Sequence, residues 1–209
     1  MIRVLVVDDH PIVRSGIIAL LRQQSDIEVV GECGDGLDAL AAVDAVRPDV
    51  VMLDLMLPGL AGIEVARRVA CGASGTRVLI LTFHANEAYA TAALGGGATG
   101  FVQKDAEPAE IMRAVRAVAA GRRHFPPHLA EARGSPHARD PWTTLSDRER
   151  EVAQLVAEGL AHADVGVRLG ISARTVEVHR GNAMRKLHLD SAVGLVRFLL
   201  RRGILSLDD

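Results

Sequence analysis

The chain begins with Met1-Ile2-Arg3-Val4-Leu5-Val6-Val7-Asp8-Asp9, a short apolar run that ends in two carboxylates. A short β-branched run of this kind predicts a buried strand. The same pattern recurs where Val50-Val51-Met52-Leu53 leads into Asp54. Two predicted strands are therefore followed by carboxylates, which indicates a functional site at one edge of a sheet.

Strand and helix patterns alternate outward from these two runs, over the first 120 residues. Apolar residues at a helical spacing fill the gaps between strands, as in residues 12–21 and 37–46. This alternation predicts an α/β fold: a five-stranded parallel, doubly wound sheet covered by helices on both faces. The predicted strands are residues 3–7, 28–32, 50–53, 78–81 and 100–102.

The second part of the chain has a different, all-helical pattern. Residues 122–143 are rich in turn formers and predict a linker, with one helical turn near residues 129–133. Ser146 stands three residues before Glu149, which is the signature of a capped helix start. We therefore predict a domain at 1–121, a linker at 122–143 and a small all-α domain at 144–209. Its four predicted helices are residues 147–158, 162–169, 173–187 and 191–202.

Composition excludes several classes of protein. Apolar residues make up 49% of the 209 residues, which excludes global disorder. Two cysteines give neither a disulfide framework nor a metal-binding spacing. No apolar run is long enough to span a bilayer, and the N-terminus turns acidic too early for a signal peptide. We expect a cytoplasmic protein with no membrane partner.

Net charge differs between the two parts. The total of −2 argues against nucleic-acid binding when the chain is taken as a whole. However, residues 1–121 carry 10 basic and 15 acidic side chains, whereas residues 122–209 carry 14 basic and 11 acidic ones. An acidic α/β part joined to a mildly basic helical part indicates two domains with different partners.

The carboxylates at the strand ends predict a phosphoryl acceptor. Adjacent parallel strands deliver Asp8, Asp9 and Asp54 to one crevice, where three carboxylates repel each other unless a hard cation such as Mg²⁺ lies among them. A carboxylate beside Mg²⁺ can attack a phosphoryl group and form an acyl phosphate. Thr82 and Lys104 follow the fourth and fifth predicted strands, where a hydroxyl and an ammonium would bind phosphoryl oxygens.

The motif residues together resemble the receiver domain of bacterial two-component response regulators. The resemblance covers residues 1–121 and implies that Asp54 accepts phosphate from a sensor histidine kinase. It further implies that Asp9 and Asp54 bind Mg²⁺ with the Met56 carbonyl, that Asp8 acts through water, and that Thr82 and Phe101 form a switch pair. The residues that carry it are Asp8-Asp9, Asp54 with Pro58 and Gly62, Thr82, and Phe101-Val102-Gln103-Lys104.

Residues 160–187 predict a helix, a tight turn and a second helix. Gly170 suits the end of the first helix, and Ser172 suits the cap of the second. A compact helix-turn-helix presents its second helix to the DNA major groove, while basic residues at the helix ends contact phosphates. One face of that helix is suited to a small core and contains Val176, His179, Ala183 and Leu187. The other faces carry Arg174, Glu177, Val178, Arg180, Gly181 and Arg185.

This second part resembles the LuxR-type DNA-binding domain over residues 144–205, and its combination with a receiver is typical of NarL/FixJ-family response regulators. The matching stretches are residues 145–152, 175–180 and 185–187. The resemblance implies that residues 191–202 form a homodimer surface after phosphorylation, and that RNA polymerase is a further partner. A dimer would bind two half-sites about one helical turn apart. The resemblance further implies that Glu177, Val178 and Gly181 face the bases and that Thr175, Arg180 and Lys186 contact phosphates. Arg174 is a further predicted DNA-contacting residue.

The chain departs from the family pattern at a few positions. His162-Ala163 replaces a common Asn-Lys, and Glu177 stands where many members carry Lys. Gly166 is expected to weaken the first helix of the motif. We therefore expect modest DNA affinity that depends on dimerisation. The run Gly95-Gly96-Gly97 predicts early fraying of the fourth helix.

Two other functions are compatible with parts of this pattern. A phosphohydrolase would use Asp54 as its nucleophile, but it needs an acid two residues later, where Met56 stands. We therefore predict no enzymatic turnover beyond slow self-hydrolysis. A receiver-type interaction module or phosphate sink with weak DNA binding is the other alternative, because Ala163, Glu177 and Gly181 weaken the DNA surface. A DNA-binding response regulator remains the main prediction.

Overall fold

The computed structural model describes residues 1–72, 75–83, 87–126 and 141–205. The chain divides into two compact units, an α/β domain and a bundle of short helices. The helical turn predicted near residues 129–133 lies outside the described residues. None of the described helices is both long enough and apolar enough to cross a membrane.

The first unit is built on a five-stranded parallel sheet, as predicted. The strand order is β2-β1-β3-β4-β5, so the winding direction reverses between β1 and β3. In open sheets of this kind, ligands bind at the carboxyl ends of the strands that flank the reversal. The strands are β1 (Ile2–Val7), β2 (Ile27–Cys33), β3 (Val50–Leu53), β4 (Arg77–Thr82) and β5 (Gly100–Gln103).

Helices cover the sheet because its central strands are apolar on both faces. All four residues of β3 are buried, and so are the last four residues of β1. The helices are α1 (Pro11–Arg22), α2 (Gly36–Val46), α3 (Gly62–Cys71), α4 (Glu87–Gly95) and α5 (Pro108–Ala119). The early fraying of α4 stays a prediction.

The chain beyond α5 returns to the edge of the sheet. His124 forms a single parallel bridge with Gly100. The Phe101 N–H donates to the His124 carbonyl at 2.7 Å, and the His124 N–H donates to the Thr99 carbonyl at 3.1 Å. Main-chain bonds to the first unit therefore continue past residue 121.

The second unit contains the four predicted helices, each ending within about one residue of its predicted bounds. They are α6 (Asp147–Ala157), α7 (His162–Leu169), α8 (Ala173–Lys186) and α9 (Ala192–Arg201), preceded by a 3₁₀ turn at Pro141–Thr144. The predicted cap of α6 is present: the Glu149 N–H donates to Ser146 Oγ, and the Ser146 N–H donates to Glu149 Oε2. The Thr175 N–H donates to Ser172 Oγ, which caps α8 in the same way.

Gly166 has a role that sequence reasoning missed. It is buried where α7 meets the turn, and its carbonyl accepts a hydrogen bond from the Ile171 N–H at 2.9 Å. A Cβ at this position would lie 2.7 Å from the Ile171 carbonyl oxygen, closer than real contacts allow. Gly166 therefore permits the close approach that makes the turn between α7 and α8 compact, in addition to lowering the helix propensity of α7.

Candidate functional site

The predicted carboxylates meet at the carboxyl edge of the first unit. Asp8 and Asp9 follow β1, and Asp54 follows β3, on the two sides of the winding reversal. One ligand atom each from Asp8, Asp9, His10 and Asp54 lie within 4.8 Å of one another. Asp8 and Asp54 are almost completely buried. The sequence did not single out His10, which the turn after β1 brings to the same cluster.

Lys104 links two of these carboxylates. Its Nζ lies 2.6 Å from Asp54 Oδ2 and 2.7 Å from Asp8 Oδ2, and its side chain is only 1% exposed. Burial raises the pKa of Asp54, and the charge of Lys104 opposes that rise only in part. The exposed Phe83 ring, which sequence reasoning also missed, lies 5.2 Å from Lys104 Nζ.

The loop after Asp54 fixes the direction of its carboxylate. The Leu55 N–H donates to Asp54 Oδ1 at 2.6 Å, and the Gly62 N–H donates to the Leu55 carbonyl at 2.9 Å. A Cβ on Gly62 would lie 1.9 Å from the Asp54 carbonyl oxygen, so the loop requires glycine there. Met56, half-buried, lies within this loop two residues after Asp54.

The two residues of the predicted switch pair are buried in neighbouring strands. Thr82 ends β4 and is fully buried, and Phe101 lies in β5 with its side chain 1% exposed. The Lys104 N–H donates to the Thr82 carbonyl at 3.0 Å, which joins the ends of β4 and β5. The backbone therefore connects Thr82 to the lysine that contacts Asp54.

The chemistry of this cluster suits a hard cation. Asp9 Oδ1 is buried and has no hydrogen-bond partner; it lies 2.8 Å from His10 Nδ1 but without hydrogen-bond geometry. A buried carboxylate oxygen left without a partner is costly. Mg²⁺ prefers oxygen ligands and would satisfy this atom. The residues present therefore fit the predicted metal.

In the second unit, predicted DNA-contacting residues form an exposed face of α8. Arg174, Glu177, Val178 and Gly181 are spaced as neighbours along one helix face, and all four are exposed. Thr175 and Arg180 are half-buried beside them. The predicted core face is also observed: Val176, Ala183 and Leu187 are buried, and His179 is half-buried.

Arg180 and Lys186 have contrasting surroundings. Arg180 Nε is buried without a hydrogen-bond partner. Lys186 Nζ instead lies 2.6 Å from Glu149 Oε2 and 3.2 Å from the Thr144 carbonyl oxygen, so its ammonium has partners within the unit.

A doubly wound domain with an acidic, lysine-linked pocket, together with a helix-turn-helix unit, defines the class of response regulators. Family models agree: residues 4–116 match the response regulator receiver domain, and residues 143–199 match the bacterial regulatory proteins of the luxR family. The chain belongs to the two-component response regulators that join a receiver to a LuxR-type DNA-binding domain. The members of this family are transcriptional regulators.

Individual relatives match over nearly the whole chain. The chain is 38% identical to the transcriptional regulatory protein UhpA of Escherichia coli over 197 residues, covering 94% of this chain and 97% of UhpA. Among solved structures, it resembles the response regulator ChrA of a heme-sensing two-component system, with 34% identity, 98% of both chains covered and a TM-score of 0.54. A structure of two RcsB dimers bound to two parallel DNAs matches with 27% identity, 95% and 97% coverage and a TM-score of 0.58.

Proposed function

We propose that a sensor histidine kinase phosphorylates Asp54 and that this modification increases DNA binding by α8. The observation that carries the proposal is the buried contact of Lys104 Nζ with both Asp54 Oδ2 and Asp8 Oδ2. The contact joins the segments that follow β1, β3 and β5, and it places beside Asp54 a cation that an acyl phosphate would need.

The reaction follows from the positions of these groups. A carboxylate oxygen of Asp54 attacks phosphorus, a P–O bond forms, and the bond between phosphorus and the kinase histidine nitrogen breaks. Lys104 can then pair with a phosphoryl oxygen in place of the Asp54 oxygen it now contacts. Mg²⁺, held by Asp9, Asp54 and the Met56 carbonyl with Asp8 acting through water, would neutralise the remaining phosphoryl charge.

The switch would begin at Thr82. Its hydroxyl supplies a further donor to the phosphoryl group, and Phe101, which is already buried, adjusts with it. Turnover should be limited to slow self-hydrolysis, because Met56 offers no acid or base two residues after the nucleophile. Steady phosphate release from small phosphoesters would contradict this.

DNA binding would use the exposed face of α8. We assign base contacts to Glu177, Val178 and Gly181, and phosphate contacts to Arg174, Thr175 and Arg180. The assignment of Arg180 rests on its half-buried position beside this exposed face. The proposed domain organisation is a receiver at 1–121, a linker at 122–143 and a DNA-binding domain at 144–209.

We further propose that the phosphorylated protein binds as a homodimer through α9. Val193 on this helix is 67% exposed and would supply apolar surface to such a dimer. RcsB, a relative of similar length, is described as dimers bound to DNA. RNA polymerase is proposed as the partner through which a bound dimer acts on transcription.

Selection of bound fragments from genomic DNA tests the proposal. Wild type, Asp54→Asn and the control Asp44→Asn, an exposed position on α2, are each compared with and without a small phosphodonor. We expect the phosphodonor to increase enrichment for wild type and for Asp44→Asn, but not for Asp54→Asn. If DNA enrichment is the same with and without phosphodonor, and the same in wild type and Asp54→Asn, then phosphorylation of Asp54 does not control DNA binding. Absence of any salt-dependent DNA binding would favour the interaction-module alternative.

A further inference from the structure

Lys186 is at the carboxyl end of α8, but its ammonium is held by the start of the unit. Nζ donates to Glu149 Oε2 at 2.6 Å and to the Thr144 carbonyl at 3.2 Å. Glu149 is 4% exposed, and the same Oε2 accepts the Ser146 N–H at 2.7 Å as part of the α6 cap. One buried oxygen therefore joins the end of α8 to the beginning of α6.

Electrostatics favour this pair over an external partner. Burial would raise the pKa of Glu149, but hydrogen bonds from Lys186 and Ser146 outweigh it and lower that pKa, so the carboxylate stays charged. The charge of Lys186 is then matched by a carboxylate of its own unit. Salt-dependent DNA binding arises from phosphates neutralised by uncompensated cations. Lys186 is therefore a poor candidate for such a cation.

The pair also links the carboxyl end of α8 to the start of α6. The amino end of α8 is held by the Ser172 cap and by the compact turn at Gly166. The carboxyl end is held by Lys186 and Glu149. The exposed face that includes Glu177 and Gly181 lies between these two anchored ends, so its tilt depends on both.

We propose that Lys186 is a positioning residue that sets the orientation of α8 through Glu149, and that it is not a phosphate contact. This replaces the phosphate role predicted from the sequence. The inference rests on the proposed DNA binding by α8. We therefore expect Glu149, which is buried and cannot reach DNA, to affect sequence recognition as much as Lys186 does.

The test compares two DNA probes in full-length, phosphodonor-treated protein. One probe is the duplex most enriched by wild type in the genomic selection, and the other is a random-sequence duplex of equal length. The variants are Lys186→Met, Glu149→Gln and the double variant. Glutamine keeps the cap acceptor for the Ser146 N–H while removing the charge. Thermal unfolding confirms that each variant is folded at the temperature of the binding assay.

We expect each single variant to bind the selected duplex about tenfold more weakly, with a much smaller loss on the random duplex. The salt dependence should stay as in wild type. The double variant should be no weaker than the weaker single variant, because both substitutions break one contact.

A different result overturns the inference. If Lys186 contacts phosphate, Lys186→Met weakens both duplexes equally and lowers the salt slope by about 1 per protomer. Unchanged binding by Glu149→Gln would also contradict it. If Glu149→Gln fails to fold, Glu149→Asp replaces it. Binding to the selected duplex should then be weaker if Lys186 positions α8, because the shorter carboxylate reaches Lys186 less well. Unchanged binding to that duplex would contradict the positioning role. Failure of wild type to enrich any duplex would instead refute the proposed DNA binding.

Discussion

The two units place their buried charges differently. In the first unit, Asp8, Asp54 and Lys104 are buried together at the carboxyl edge of the sheet, outside any helix cap. In the second unit, buried charges such as Glu149 and Arg150 lie on α6 and bind its cap, a neighbouring helix or the preceding turn. Buried charge in the first unit therefore clusters at the sheet edge, apart from Glu64, which pairs with Arg67 and Arg68 on α3. In the second unit it lies on α6, whereas most of the proposed DNA contacts on α8 are exposed.

Each unit nevertheless leaves one buried polar atom without a hydrogen bond. Within the part of the chain that the structure describes, the buried side-chain polar atoms lacking a hydrogen bond are Asp9 Oδ1 and Arg180 Nε. Sequence reasoning assigned the first residue to Mg²⁺ and the second to DNA phosphate.

The largest expected effect is on stability, and it compares a glycine in the loop after Asp54 with a glycine on the exposed surface of α1. Gly62→Ala should destabilise the first unit by about 3–5 kcal/mol, because its Cβ would lie 1.9 Å from the Asp54 carbonyl oxygen. Gly16→Ala is the matched control, since a Cβ there meets nothing within 4 Å. It should stabilise α1 by about 0.5–1 kcal/mol. Urea unfolding checks both, and equal effects would show that the loop after Asp54 can relax.

Mg²⁺ should stabilise the first unit alone. At a concentration of about 100 times its dissociation constant, the stabilisation is about 2.7 kcal/mol. Asp9→Asn should lose most of this gain, because it removes the charge of the carboxylate whose buried Oδ1 accepts no hydrogen bond. Asp44→Asn should keep it. Unfolding followed during a Mg²⁺ titration measures the effect, and a wild-type response from Asp9→Asn would exclude that residue as a ligand.

Acid should weaken the second unit through Glu149. Its pKa is lower in the folded state, so its stabilisation is present above the unfolded value of about 4.3 and is lost as the pH falls through the folded value. We expect about 1–2 kcal/mol of stability to disappear over that range. Glu149→Gln should remove this part of the pH dependence, whereas Glu177→Gln, exposed on α8, should leave it intact. Identical acid profiles for all three proteins would show that the pair adds no stability.

The smallest expected effect is that of Gly181→Ala, which should change the stability of α8 and its DNA binding in opposite directions. Gly181→Ala should stabilise the helix by about 0.5 kcal/mol, because the position is exposed and a Cβ meets nothing within 4 Å. The same methyl group would project from the face assigned to the bases. Binding to the selected duplex should therefore fall while unfolding moves to higher temperature. If Gly181→Ala binds the selected duplex more tightly and is also more stable, the assignment of Gly181 as a base contact is wrong.

The sequence was sufficient where local pattern determines structure. Strand ends carrying Asp8, Asp54 and Thr82 could be predicted, because parallel strands bring their carboxyl ends to one edge. The capped start of α6 followed from Ser146 and Glu149 alone. These features depend on spacing within one element or on the regular geometry of the sheet.

Contacts between distant segments could not be predicted in this way. Lys186 and Glu149 are separated by 37 positions, and neither carries a local signal for its partner. Gly166 indicated only a weak helix, because the approach of Ile171 depends on how the turn closes. The bridge between Gly100 and His124 uses one residue of an irregular segment, which has no periodicity to detect.

Locating the phosphoryl group tests directly whether Asp54 is the phosphoacceptor. Full-length protein is treated with a small phosphodonor and Mg²⁺, the acyl phosphate is trapped by borohydride reduction, and the modified peptide is identified by mass spectrometry. We expect modification at Asp54 that requires Mg²⁺ and is absent from Asp54→Asn. Modification at another carboxylate, or at Asp54 without Mg²⁺, would contradict this expectation.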